Sequence, residues 1–357
     1  MGDATKDAPD SEMTSIRKIL EPDGGQLGSA TTLRFLAVPE LLLFGLTKLL
    51  PLVADGPFEK TRWVVWFGFR NMPFAFELRK FGLDCRTGIG CSKPLAEDLL
   101  RRCNRLCSIV EEYFSQDLFP KQLKNRNFTV QNLYRRFDAR YCFLREQAKV
   151  FLDKARFPFP FDKKTEHGSA CAAAAIDAYF SKTEHFFVLA VAFAEKLPED
   201  VEGFLRLHWG GKAKQLLDLD DDHAKGLYDQ LIRIRDVWRN PITHGGIGIE
   251  SRAIAFHVPE LGACPAGLSR YPKAHARGFL FEGPEIHEVF SIFDEFDRFL
   301  TQGHFAFAHE WVSSGLNVRF DQEAMNEYRA AMKTKEEFSK YIDRVADEVD
   351  RHTNMDY

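Results

Sequence analysis

The chain is poor in residues that build external staples. It has seven cysteines in 357 residues, at 85, 91, 103, 107, 142, 171 and 264, an odd number at scattered spacings. That pattern excludes a disulfide framework and points to reduced thiols. No apolar run reaches the ~20 residues that a bilayer span requires. The nearest candidate, Pro39 to Val53, carries Glu40 and Lys48 and reads as a buried helix. The opening stretch MGDATKDAPDSEM has no basic start followed by an apolar run, so no secretory leader is expected. Gly2 does not open a myristoylation motif, because Lys6 stands where that motif wants Ser or Thr. Together these absences predict a soluble, cytoplasmic protein with no membrane partner. An excess of one charge is lacking too. The 48 basic and 52 acidic residues give a formal net charge of -4. That balance excludes a generic nucleic-acid coat and leaves room for a local basic groove.

Several ligand-binding motifs are also missing. Gly210-Gly211-Lys212 lacks the upstream Gly and the following Ser or Thr of a phosphate loop. Asp218, Asp220, Asp221, Asp222 and His223 lack the glycine and distal glutamate of a calcium loop. They read instead as an acidic lead-in to the next helix. His304 and His309 are five apart, which misses the i, i+4 spacing of a zinc helix. Neither a metal site nor a cofactor is expected. The sequence shows no nucleophile elbow and no internal repeat.

Apolar and aromatic material is abundant. Hydrophobic residues make up 45% and aromatics 13%, with 33 phenylalanines, enough for a large core. The length suits one large domain or two. Residues 1–30 read as a flexible tail, followed by a helical region of unknown role over 31–155. Within that region, Lys93 to Tyr113 carries Leu95, Leu99, Leu100, Cys103, Leu106, Cys107 and Val110 at helical spacing after Pro94. Asn127 to Asp153 reads as a second long helix. The Phe-Pro alternation at 156–161 cannot be regular helix and marks a junction. Beyond it, a helical domain is expected over 165–357. Its first helix, Ala170 to Leu197, is rich in alanine and ends at Pro198. Leu227, Leu231, Ile234 and Trp238 mark another helix, as do Ile286, Val289, Phe290, Phe293, Phe296 and Leu300 between Pro284 and Gly303. A charged helical stretch closes the chain from Gln322 to Arg351. Apolar alternation at Ser251 to Val258 and Ala276 to Glu282 suggests a small β-hairpin between helices. The expected class is all-α.

One segment carries candidate chemistry: Arg239-Asn240-Pro241-Ile242-Thr243-His244-Gly245-Gly246. Arg stays charged and grips phosphate oxygens with parallel hydrogen bonds. Histidine takes and gives protons near neutrality. Asn240-Pro241 suits a helix start, whose free N–H groups favour an anion. The spacing R-N-x-x-x-H, and the phrases DAYFSKTEHFFVLAVAF and RIRDVWRNPITHGG, resemble the HEPN-domain ribonucleases. The resemblance covers about Ser169 to Leu300. It implies a HEPN-type helical bundle that dimerises and cleaves RNA without metal, leaving a 2′,3′-cyclic phosphate. It further implies that Arg239 holds the scissile phosphate, Asn240 fills the polar position after it, and His244 transfers protons. The substrate implied is tRNA or mRNA, in antiviral defence or stress. Pro241 departs from a continuous helix through the motif.

Two further groups surround this expectation. Asp177, Ser181 and Glu184 share a helical stripe. A carboxylate there, Glu184 in particular, is placed to orient Arg239 or His244; a solvated polar stripe is the competing reading. Lys124, Arg126, Arg135, Arg136 and Arg140 are interleaved with Phe128, Tyr134, Phe137, Tyr141 and Phe143, a mixture suited to phosphate contact and base stacking. An ordinary helix with a solvated basic face accounts for the same pattern. A non-catalytic interaction or assembly protein is the alternative to the ribonuclease.

Overall fold

The computed structural model describes residues 20–21, 27–32, 38–154, 163–195, 197–239, 254–268, 276–278 and 286–354. The chain divides into two compact units, Met1–Asn125 with Asp343–Tyr357, and Arg126–Ile342. The Phe-Pro segment 156–161 lies outside the described residues.

The all-α expectation fails first in the region 31–155. Strands β3 (Ala54–Asp55), β4 (Thr61–Phe69), β5 (Met72–Arg79) and β6 (Gly82–Gly88) form an antiparallel sheet there. Two stretches of the expected tail join it: β1 (Leu20–Glu21) pairs with β4, and β2 (Leu27–Thr32) pairs with β6. The cause is a period of two in the sequence. Trp63, Val65, Phe67 and Phe69 alternate along β4, answered by Phe74, Phe76 and Leu78 on β5, and all are buried in one core. Aromatic and β-branched side chains fit that pleated, half-buried surface. Arg70 and Asn71 have φ of 52° and 63° between the paired Phe69 and Met72. This left-handed pair is the turn that a two-residue hairpin requires.

Helices cover the sheet. The apolar run from Pro39 forms α1 (Pro39–Phe44), continued by a π-helical turn over Gly45–Leu49 that buries Leu46 and Leu49. The spacing read at Lys93 becomes α2 (Lys93–Tyr113), which buries Leu99, Cys103, Leu106 and Val110. At Gly45 a Cβ would lie 2.7 Å from Leu106 Cγ, so α1 approaches α2 as only glycine permits. A second π-turn and α3 (Phe119–Lys124) end this part of the chain. All seven cysteines are free thiols, and burial pushes the Cys85 thiol up to about 12. No helix among the described residues is long and apolar enough to cross a membrane.

The second unit is built on an antiparallel helical hairpin. α4 (Tyr134–Asp153) starts later than Asn127 because β7 (Thr129–Val130) pairs with β11 (Val318–Arg319) just before it. Asn132 then accepts from Tyr134 N at 3.0 Å and donates to Val312 O and Leu316 O. α5 (Lys163–Ala190) runs back along α4, with Tyr141 on Tyr179 and Phe151 on His167. Shorter helices α6 (Val201–Arg206) and α7 (Trp209–Leu216) follow. α8 (Asp222–Ile234) opens on Asp221, whose side chain accepts from Ala224 N at 2.8 Å. The acidic lead-in is therefore an N-cap. A π-helical turn, Arg235–Arg239, extends α8 up to the motif.

Strands also interrupt this half. β8 (Ile254–Val258) and β10 (Ala276–Gly278) fall where alternation suggested a hairpin, but both pair with β9 (Gly262–Leu268), so a three-stranded sheet replaces the two-stranded one. α9 (Ile286–Leu300) packs Val289, Phe293 and Phe296 inward, and Tyr179 stacks on Phe293 with centroids 3.7 Å apart. α10 (Ala306–Ser314) and α11 (Gln322–Ala331) complete the unit. α12 (Lys335–Asn354) begins in it, and its residues from Asp343 belong to the first unit. Among the described residues a mostly helical structure with three sheets thus replaces the all-α bundle of HEPN type.

Candidate functional site

Arg239 stands at the last residue of the π-helical turn, and α5 fixes its side chain. Its Nε donates to Asp177 Oδ1 at 2.9 Å, and its guanidinium lies over the Phe180 ring at 5.5 Å. The side chain keeps 24% of its exposure. Asp177 takes one edge of the guanidinium; among the described residues neither terminal nitrogen has a hydrogen-bond partner. Such a fork is set to take two oxygens of one anion. Next to it, the buried indole Nε1 of Trp238 has no hydrogen-bond partner among the described residues. Asn240, Pro241, His244, Gly245 and Gly246 lie outside the described residues.

The carboxylate stripe on α5 does orient Arg239, but through Asp177. Glu184 Oε1 pairs with Lys212 Nζ at 2.9 Å, and His244, the other group it was expected to orient, lies outside the described residues. Seven residues separate Glu184 from Asp177, roughly 10 Å along a helix, which places it level with α7 instead. Lys212 is buried to 3% exposure and also donates to Leu207 O. Gly210-Gly211-Lys212 therefore serves to bury a lysine, and Trp209 Nε1 beside it donates to Thr183 Oγ1 at 2.8 Å.

The basic set separates into structural and exposed members. Arg126 donates to the carbonyls of Pro198 and Glu199. Arg135 donates to Ser313 O through Nε and Nη2, at 3.0 and 2.8 Å. Both close helix or loop ends, which explains their charge without a ligand. Lys124 is exposed at the end of α3 and belongs to the first unit. Arg136 and Arg140 are exposed one turn apart on α4, and Phe143, 60% exposed, continues their face.

The largest polar cluster was not anticipated from the sequence. Lys182, 2% exposed, sends its ammonium to Asp297 Oδ2 at 2.7 Å and Asp138 Oδ1 at 3.2 Å. The rings of Tyr141 and Tyr179 lie 5.0 Å from it and that of Tyr134 5.8 Å. Tyr179 OH donates to Asp297 Oδ1 and Phe293 O. Arg145 grips both oxygens of Asp294, at 2.5 and 2.6 Å. Burial opposes the lysine's charge, but Asp297, Tyr134 and Asp138 outweigh it and hold its pKa above the ordinary value. Burial pushes the Tyr134 phenol up to about 12. With its charges mutually satisfied, the cluster ties α4, α5 and α9 together and presents no nucleophile. Its signal in the sequence was a lysine at a core spacing, between Tyr179 and Phe186.

No protein-family model, curated protein or solved structure matches this chain.

Proposed function

We propose that the second unit is a metal-independent endoribonuclease centred on Arg239 and His244. The observation that carries this reading is the clamp on Arg239. Asp177 and Phe180 hold the guanidinium by one edge and one face, which fixes its direction before a ligand arrives. In the reaction, the substrate's own 2′-oxygen attacks the adjacent phosphorus as the 2′-proton passes to a base. The P–O5′ bond breaks, the 5′-oxygen receives a proton, and a 2′,3′-cyclic phosphate remains. Arg239 neutralises the charge that builds on the phosphate oxygens. His244 moves the proton, and Asn240 supplies a polar contact beside them. Arg136, Arg140 and Phe143 offer phosphate contacts and a stacking surface for the same RNA, tRNA or mRNA. The working form in this reading is a homodimer that brings two such segments together, in antiviral defence or a stress response.

The same clamp favours one other reading. A side chain three-quarters buried and held by Asp177 and Phe180 of α5 also serves as a strut for the end of α8, as in a non-catalytic interaction or assembly protein. The deciding experiment compares wild type with Arg239→Ala and His244→Ala, in EDTA, on total RNA and on a tRNA pool. Matched circular dichroism and light scattering establish equal folding and assembly. Cleavage by wild type alone, with cyclic-phosphate ends, supports the ribonuclease. Equal cleavage by all three removes the segment from the chemistry, and no cleavage by any favours the strut.

A further inference from the structure

Strand β8 is wet on both sides. Ala255 and His257 stand on one face of it, Phe256 and Val258 on the other, and all four are exposed. A hairpin without a buried face has no core of its own and is marginal in water. Among the described residues β8 is also an edge, paired with β9 alone. It carries none of the devices that blunt an edge. From Ile254 to Val258 there is no Asp, Glu, Lys, Arg or Pro, and the register with β9 runs without a bulge.

Pro265 fixes which groups that edge presents. It lies opposite Ala255 and has no N–H, so these two form a non-hydrogen-bonded pair and Phe256 exchanges both its bonds with Cys264. By alternation, Ala255 and His257 turn their N–H and C=O groups away from β9, where they meet no partner among the described residues. The opposite edge of the hairpin is blunted, because Pro265 presents no donor there.

We infer that β8 pairs antiparallel with β8 of a second copy of this chain, about a two-fold axis through Phe256. That axis sets Ala255 opposite His257 of the second copy, and His257 opposite its Ala255, so all four outward N–H and C=O groups are satisfied on each strand. An axis through His257 would instead set Ala255 opposite Pro259, which cannot donate. Phe256 meets Phe256 of the second copy in a close, non-hydrogen-bonded pair, an aromatic contact that stabilises a sheet. No charged side chain of β8 opposes a like one, which suits self-association. This pairing supplies the homodimer that the ribonuclease reading requires, and it stands whether or not that dimer cleaves RNA.

Five paired residues make an interface well below the roughly 1,200 Å² of stable complexes, so the dimer should depend on concentration. Sedimentation of wild type should move from the 41.0 kDa of one chain towards twice that mass between about 1 and about 100 μM. Phe256→Lys and Phe256→Glu, at an exposed position, should each stay at one chain through like-charge opposition, with unchanged circular dichroism. An equal mixture of the two should associate more than either alone. Phe256→Cys, made with Cys264→Ser to prevent pairing within the hairpin, should give a covalent dimer on mild oxidation, since such a pair sets Cα atoms about 4.5 Å apart. His257→Cys with Cys264→Ser should not. Wild type that stays at one chain at about 100 μM would overturn the inference. Cross-linking at 257 and not at 256 would do the same. A dimer that both charged variants leave intact would also overturn it, and would assign the homodimer to another surface. Association as described, without RNA cleavage by wild type, would sink the ribonuclease and leave the strand pairing.

Discussion

At the scale of single residues, the charges with the largest consequences are those withdrawn from water. Lys182 gives up hydration for two carboxylates and three phenol rings, and the exchange holds only while every partner stays. Lys182→Met leaves Asp297 and Asp138 without their cation. Both carboxylates are a third or more exposed, so water replaces part of the lysine's charge, and the loss should be about 1–3 kcal/mol in denaturant unfolding; a loss below about 0.5 kcal/mol would show the network to be ornamental. Histidines act in the opposite sense. His185 Nε2 accepts from Leu133 N at 2.9 Å, so its neutral form holds the start of α4. Burial lowers its pKa from the ordinary 6.5, and burial lowers that of His309 likewise. A depressed folded value means full stability at high pH, where folded and unfolded forms are both neutral. Stability then falls from pH 6.5 downward, because the unfolded chain takes up protons first. Denaturation midpoints measured from pH 8 to pH 5 should show this decline, and His185→Gln should reduce it.

At the scale of elements, long helices of both units were legible and the strands of the first unit were not. The helix after Ser92, the acid-capped helix at Asp222 and the aromatic helix at Ile286 announced themselves by a 3.6-residue period and by capping residues. The sheet at 61–88 announced itself as clearly by alternation, yet lay inside a stretch bounded by two helices and was absorbed into them. Trp63, Val65, Phe67 and Phe69 then look like a dense apolar run, because Val64 on the opposite face is buried as well. The pairing of Asp177 with Arg239, and of Lys182 with Asp297, joins residues far apart in sequence, and no local period carries that information. Two elements can be tested directly. Asp221→Ala removes the cap of α8 and should cost about 1 kcal/mol. Gly45→Ala forces a methyl group against Leu106 and should cost about 1–3 kcal/mol by thermal or denaturant unfolding. A neutral or stabilising result would mean that α1 can move away from α2 without loss.

At the scale of the whole molecule, each unit has its own core. The first is a sheet under two helices, and the second is a hairpin of long helices enclosing aromatic side chains. Calorimetry should therefore resolve two components, with Gly45→Ala lowering one and Lys182→Met the other. A single transition shifted equally by both substitutions would show one cooperative body. The ribonuclease reading belongs at this scale too, since a composite site makes activity depend on chain concentration. Asp177→Asn should lower cleavage by up to about a hundredfold through misaim of Arg239. It should leave the mass of the assembled protein, read by light scattering, unchanged.

The sealed lysines also give the protein an internal clock. Lys182 and Lys212 are 2% and 3% exposed, and both ammonium groups are held by carboxylates. An amine-selective acylating reagent will mark the surface lysines within minutes and find these two only when the fold opens. Their rate of labelling, read peptide by peptide, reports how often the long helix α5 releases its neighbours. It does so in the native protein, with no denaturant and no change of sequence.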